Sequence, residues 1–217
     1  MLPLELAFFI VMLELTVGSF ASLAFLDLRR DTSRGFIVFQ GWLYLIFAVL
    51  TLLAMNAFAT PQLVHGHGLD DSWVRAQGPV VLLFALLMLP WNVLLWRDRP
   101  AADAKAGKRA QTPATRVTQA RFALGTLTTL VGFGALFVDG MAYRPLADSH
   151  LGGAFVVGLF VCGGLALGGV MTAMLLGHWY LNTPTASGKP LEFATTLMLA
   201  ALAFELVFTL FILSLIH

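Results

Sequence analysis

Long apolar runs without basic residues dominate this chain and limit what it can fold into. None of its thirteen Lys and Arg residues lies inside such a run. Hydrophobic residues fill 59% of the 217 positions and charged residues 12%, whereas soluble domains average about 45–50% and about 25%. The composition predicts an all-α, polytopic membrane protein whose surface contacts the lipid bilayer.

A membrane-spanning helix needs about 20 predominantly apolar residues. Six runs reach or approach this length, and they predict a single transmembrane domain over residues 1–217. Because no basic residue precedes the first run, it is predicted to be a retained helix and not a secretory signal. The predicted helices cover about 4–27, 35–59, 78–96, 122–143, 151–181 and 191–216.

Basic residues are distributed unequally between the two sets of predicted loops. Three lie in 28–34, seven in 97–121 and one at Lys189, but only Arg75 and Arg144 lie on the other side. Lys and Arg are enriched in cytoplasmic loops. We therefore predict that the basic loop 97–121 is cytoplasmic and that both termini lie on the outer (periplasmic or extracellular) side of a bacterial inner membrane. The loop is expected to be a flexible linker, or a surface segment attracted to anionic lipid head groups, and not a nucleic-acid-binding segment.

Glycines are concentrated in the fifth run, where Gly164 and Gly168 form a GxxxG pair. Small residues allow helices to approach closely in lipid. With Gly125, Gly132 and Gly134 in the fourth run, the pattern predicts close packing of the fourth and fifth helices. The alternative is that the glycines leave room for a flat cofactor such as haem or a quinone.

Two glutamates interrupt the apolar runs, and each lies about halfway along its run: Glu14 in the first and Glu205 in the sixth. A carboxylate at mid-bilayer costs about 2.5–3.5 kcal/mol on insertion scales. We predict that both side chains face the protein interior and handle protons. The alternative is that each is protonated and hydrogen-bonds to a neighbouring helix. Asp139, close to the outer end of helix four, is expected to reach head-group water.

A second candidate site lies near the predicted cytoplasmic boundary. His178 closes helix five in the segment GHWYLNTP, and Gln40, Trp42, Trp91 and Asn92 are expected at matching depth on helices two and three. An imidazole with amides and flat rings suits a quinone carbonyl or the iron of a b-type haem. The alternative is an aromatic belt at the membrane interface with a hydrated histidine.

The third candidate site lies on the predicted outer side. His65 and His67 form an HxH pair in VHGHGLDDSW, and His150 precedes the fifth run. Imidazoles with carboxylates suit Zn, Cu, Ni or Fe, although the spacing matches no zinc motif. The alternative to this metal site is a polar surface loop.

Three classes of function follow from these sites. The first is an integral membrane subunit or partner of an electron-transport complex, which binds a quinone or b-type haem and handles protons through Glu14 and Glu205. The second is a proton- or metal-ion-coupled transporter, and the third is a non-catalytic assembly or anchor subunit that packs on other membrane proteins. The chain lacks GxSxG, P-loop and CxxCH motifs, so a stand-alone enzyme is not expected.

Overall fold

The computed structural model describes residues 4–30, 32–57, 63–64, 67–97, 116–146, 150–182 and 188–216. These residues contain six helices that are long and apolar enough to cross a membrane, which confirms the predicted number. A 3-10 turn, Arg144–Leu146, follows the fourth helix. Two-residue strands β1 (Leu63–Val64) and β2 (His67–Gly68) pair antiparallel before the third helix, with Leu63 opposite Gly68. The helices are α1 (Leu4–Arg29), α2 (Arg34–Ala57), α3 (Asp71–Arg97), α4 (Arg116–Tyr143), α5 (His150–Asn182) and α6 (Lys189–Ile216).

The third helix begins seven residues before its apolar run, at Asp71. Asp70 caps it, because the backbone N–H and the hydroxyl of Ser72 donate to Asp70 Oδ1 at 3.0 and 2.5 Å. Such side-chain acceptors satisfy the free N–H groups of a first helical turn. The hydroxyl bond also holds the pKa of Asp70 below its usual value. α3 stays helical through both Pro79 and Pro90.

The fourth helix also begins earlier than predicted, at Arg116 and not at 122. The predicted loop 97–121 is therefore shorter by one and a half helical turns, and residues 98–115 lie outside the described part of the chain. This difference moves Arg121 out of a solvent-exposed loop and into the helical bundle.

The two ends of the bundle differ in charge. At the basic end, α1, α3 and α5 finish and α2, α4 and α6 begin, which brings most arginines together. There Arg34 donates to the carbonyl of Leu95, and the Arg30 guanidinium lies 5.2 Å from the Phe122 ring centroid. At the opposite end, the N–H of Asp70 donates to the carbonyl of Ala142 at 3.2 Å. These contacts tie sequence-distant helices together at both ends.

The first helix lies in the centre of the bundle, in contact with α2, α4 and α5. α6 lies at the edge and packs on α5. Its side chains Phe204, Leu206 and Val207 are each about 60% exposed. An apolar face of this kind is expected to contact acyl chains when the protein is in a bilayer.

The closest helix approach in the described residues joins α1 to α5. A Cβ atom added to Gly18 would overlap the carbonyl of Gly164, and one added to Gly168 would overlap the backbone of Gly18. The GxxxG pair therefore packs tightly, as predicted, but against α1. The prediction that α4 and α5 are closely packed neighbours is confirmed, since a Cβ atom at Gly140 would lie 2.8 Å from the Cα of Val157. The backbone partner of the GxxxG pair is nevertheless α1, because a glycine face shows that a close approach is possible and does not identify the second helix.

Candidate functional site

Glu14 lies in a space that Gly163 creates between α1 and α5. A Cβ atom at Gly163 would come within 3.0 Å of Glu14 Oε1 and 3.1 Å of Oε2. The carboxyl group is half-buried and rests on the backbone of α5. A larger side chain at position 163 would therefore displace it.

Two further carboxyl groups lie within electrostatic range of Glu14. They belong to Glu205 on α6 and Asp139 on α4. Glu205 is half-buried, whereas Asp139 is fully buried. We call these three residues the carboxyl cluster. The charge of Glu205 therefore influences Glu14, and the prediction that the two residues meet and handle protons stays a prediction.

Asp139 does not reach head-group water, so this expectation was wrong. Its side chain has no exposed surface, and it accepts a hydrogen bond from Gln77 Nε2 on α3. The physical reason is the early start of α3, which places Gln77 on a helix beside Asp139 and not in a loop. Asp139 Oδ2 and the hydroxyl of Tyr143, one turn further along α4, have no hydrogen-bond partner within the described residues.

The carboxyl cluster lacks a basic counter-ion in the sequence at its depth. No Lys or Arg lies in the stretches 4–28, 122–143 or 190–216 that carry its members. Carboxylate charges repel one another strongly in an apolar environment, and a shared proton relieves that repulsion. Among the described residues, no three His, Cys, Asp or Glu side chains are placed to hold one metal ion. Acidic groups in this arrangement can share protons.

Buried hydroxyl groups extend from the carboxyl cluster toward the basic end. Thr16 on α1 lies 3.3 Å from Thr51 on α2, measured between their Oγ1 atoms. The hydroxyl of Tyr44 lies 3.1 Å from Thr172 Oγ1 on α5. Ser19, one turn beyond Thr16, is also fully buried. The hydroxyls of Thr16 and Thr51 also donate to the carbonyls of Met12 and Phe47 at 2.6 and 2.8 Å, so a proton route through them would require these hydrogen bonds to exchange.

The predicted quinone or haem residues lie in different environments in the described part of the chain. His178 is exposed at the basic end of α5. Trp42 is 43% exposed on α2, whereas Gln40 on the same helix is buried. His178 lines none of three cavities that the described residues form. The cofactor-binding role of these residues stays a prediction without geometric support.

Trp91 and Asn92 lie in the core of the bundle near its basic end. The Trp91 indole packs edge-on against Phe20, with ring centroids 5.0 Å apart. Cβ atoms at Gly41 and Gly125 would lie 3.0 and 2.8 Å from this indole, so glycines on α2 and α4 accommodate it. Asn92 Nδ2 donates to the Met88 carbonyl at 2.9 Å. Both residues therefore contribute to helix packing.

A buried ion pair at the basic end was missed by the sequence analysis. Arg121 Nε lies 2.9 Å from Asp27 Oδ2, and the two side chains are only 1% and 2% exposed. Sequence reasoning placed Arg121 in the basic loop, because the apolar run begins one residue later. The signal in the sequence for this pair was one acidic residue at the end of the first apolar run and one basic residue directly before the fourth.

The predicted metal site at His65, His67 and His150 falls on side chains outside the described part of the chain. Its ligands and geometry are therefore not described.

Comparison of the chain with protein-family models, with curated proteins and with solved structures finds no match. The fold and the site define its class: a six-helix, multi-pass membrane protein with a cluster of carboxyl groups between its helices.

Proposed function

We propose that this protein handles protons within the membrane, as an integral subunit or partner of an electron-transport complex. The observation that supports the proposal is the position of Glu14, which rests on Gly163 within electrostatic range of both Glu205 and Asp139. A carboxyl group at this depth is energetically costly, so its presence indicates a function or a polar partner. Here the charged groups that influence Glu14 or are influenced by it are themselves acids.

Proton transfer among these groups follows from their chemistry. A carboxylic acid donates a proton and its conjugate base accepts one, so Glu14 can exchange a proton with Asp139 or Glu205 through small side-chain movements. Asp139 connects the carboxyl cluster to Gln77 and Tyr143 near the opposite end. The buried hydroxyls of Thr16 and Tyr44 would continue the route toward the basic end.

The Glu14→Gln substitution is expected to slow proton movement about tenfold or more, because it removes the acid while preserving side-chain size. The full chain is reconstituted in vesicles that contain a pH-sensitive dye, and the internal pH is followed after an external acid pulse. Glu205→Gln and Asp139→Asn should also slow the response. Glu192→Gln is the matched control, because Glu192 is exposed at the basic end of α6.

The isolated chain could fail to move protons because its partner subunits are missing. In that case, infrared difference spectra recorded at two pH values test the same residues. Glu14→Gln should remove a carboxyl C=O band that Glu192→Gln retains. Parent-like spectra and parent-like proton movement in Glu14→Gln would together rule out the proposal.

A proton-coupled transporter would use the same carboxyl cluster, and it is the second candidate. It differs in requiring a cargo whose uptake depends on the proton gradient. The predicted quinone or b-type haem is tested separately by the visible absorption spectrum of the purified protein. A Soret band would support the electron-transport class, and its loss in His178→Ala would assign the ligand.

We also propose that the basic end faces the cytoplasm and that both termini lie outside a bacterial inner membrane. The support is the accumulation of eleven of thirteen basic residues at that end. Alkaline phosphatase fused after His217 should therefore be active, and a fluorescent protein inserted in the segment 98–115 should mature. An inactive phosphatase together with a fluorescent terminal fusion would reverse the orientation.

A further inference from the structure

A cavity of about 420 Å³ lies between α1, α4, α5 and α6 near the basic end. Its walls are mostly apolar, with Phe133 and Leu165 among them, and its volume lies within the range of about 300–1,000 Å³ that is usual for ligand sites. Phe25 and Leu130, which also line it, are 40% and 65% exposed. This lateral cavity therefore opens on the side of the bundle, where molecules dissolved in the bilayer have access.

The charge in the wall of the lateral cavity is compensated. Among the described residues, Asp27 is the one charged side chain that lines it, and its carboxylate forms the 2.9 Å ion pair with Arg121. An ion that entered would lose its hydration without meeting an uncompensated charge of opposite sign among the lining residues. The lateral cavity therefore suits an uncharged molecule.

A hydrogen-bond donor without a partner lies in the same wall. Ser22 on α1 lines the lateral cavity and is only 2% exposed, and its hydroxyl has no hydrogen-bond partner among the described residues. A buried polar atom in this condition is costly. An oxygen atom of a bound molecule would accept the hydrogen bond of Ser22 and remove this cost.

The indole of Trp91 on α3 supplies a second donor. Trp91, Gly125 and Ala24 all line the lateral cavity. A Cβ atom added to Gly125 would lie 2.8 Å from Trp91 Nε1 and 3.8 Å from the Cβ atom of Ala24. The glycine therefore leaves space beside the indole nitrogen. Because this N–H can only donate, it also requires an acceptor.

The threonine hydroxyls of the wall already donate to the backbone of their own helix. Thr126 and Thr129 donate to the carbonyls of Phe122 and Gly125 at 3.0 and 2.9 Å. The donors on α1 and α3 are therefore the ones that a ligand can use. A carbonyl oxygen accepts hydrogen bonds through two lone pairs and donates none, so a carbonyl compound fits this set of groups.

We propose that the lateral cavity binds the head group of an uncharged, lipid-soluble quinone. Its ring lies against the apolar wall, its carbonyl oxygens accept hydrogen bonds from Ser22 and Trp91, and its tail leaves through the opening toward the bilayer. Among the residues predicted from the sequence to hold a quinone, Trp91 is the one that lines this cavity. The choice of a quinone over another carbonyl compound rests on the proposed electron-transport function, whereas the lateral cavity shares no residue with the carboxyl cluster.

Trp91 provides a direct probe, because quinones quench tryptophan fluorescence at short range. The full chain is reconstituted in phosphatidylcholine vesicles and titrated with a benzoquinone that carries a decyl tail. The difference between the parent and Trp91→Phe isolates the Trp91 signal. We expect this signal to be quenched saturably, at a severalfold lower mole fraction of quinone than the signal of the remaining tryptophans. Decylbenzene, which lacks carbonyl groups, should not displace the quinone at equal mole fraction.

Two variants with matched controls test the two donors. Ser22→Ala should raise the mole fraction for half-quenching about fivefold, because one hydrogen bond is lost. Ser19→Ala, buried on the same helix but outside this wall, should not. Gly125→Ala places a methyl group beside Trp91 Nε1 and should also weaken binding, whereas Gly134→Ala, whose Cβ has no neighbour within 4 Å, should not. Thermal unfolding of each variant identifies a loss of fold.

Photolabelling of the parent with an azide-bearing quinone is a second measurement, which does not depend on the folding of Trp91→Phe. Labels should map to the segments 21–28 and 122–133. Ala24→Phe should fill the lateral cavity and reduce labelling, whereas Ala123→Phe, on an exposed position of α4, should retain it. Labels confined to the segment around His178, quenching that does not saturate, or equal displacement by decylbenzene would each overturn the proposal.

The same measurement separates this inference from the proposed function. Glu14→Gln should bind the quinone like the parent, because Glu14 does not line the lateral cavity. Quinone binding together with parent-like proton movement and parent-like infrared spectra in Glu14→Gln would contradict proton handling alone. Proton movement that depends on Glu14, without saturable quinone binding, would contradict the quinone site alone.

Discussion

Replacing Gly18 by alanine is expected to prevent assembly of the helix bundle or to lower its free energy of unfolding by about 3 kcal/mol or more. The added Cβ atom would overlap the Gly164 carbonyl, which is backbone and cannot rotate away. The central helix would have to move away from α5, and this movement would also disturb the position of Glu14 above Gly163. Gly168→Ala should have a similar effect, because its Cβ would overlap Gly18.

The matched controls are Gly177→Ala on α5 and Gly134→Ala on α4. A Cβ atom at either position has no neighbour within 4 Å. Alanine is favoured over glycine inside a helix by about 1 kcal/mol, so both controls should be neutral or slightly more stable. The measurement is thermal unfolding of purified protein in detergent, together with its yield from membranes. Equal stability of all four variants would show that α1 and α5 do not pack closely.

Removing one partner of the buried ion pair should be the second large effect. Arg121→Met or Asp27→Leu is expected to lower the free energy of unfolding by about 3–5 kcal/mol, because the remaining charge stays buried and loses its partner at 2.9 Å. The double variant should be considerably more stable than either single variant, since it leaves no isolated charge. Arg97→Gln provides an exposed control at the same end, and it should change stability little.

A double-mutant cycle measured by detergent unfolding gives the coupling between Asp27 and Arg121. Additive losses in the double variant would contradict the 2.9 Å contact.

The six helices could be predicted because the length of an apolar run is a local property of the chain. A run of about 20 apolar residues is sufficient for a membrane span, whatever its neighbours are. The same local reasoning identified Glu14 and Glu205, since any carboxylate within such a run is costly. It could not show that Asp139 joins them, because its burial depends on Gln77 of another helix.

Helix ends were less predictable than helix centres. The apolar runs begin at 78 and 122, but capping by Asp70 and the pairing of Arg121 with Asp27 accompany the extension of α3 and α4 into the polar sequence before them. Both extensions depend on hydrogen bonds or charges that hydropathy does not measure. The buried ion pair and the environment of Asp139 lie in or beside these extensions.

The sequence by itself determined the membrane class, the number of helices, the unequal distribution of charge and the presence of two costly carboxyl groups. Only the tertiary structure decided that Gly164 and Gly168 pack on Gly18, that Gly163 accommodates Glu14, and that His178 and Trp91 lie in different environments. The physical reason is that hydropathy and residue size are local properties, which determine where a helix forms and whether it can be approached closely. The partner of a glycine face or a buried charge is set by which helices become neighbours, and residues far apart in sequence decide that.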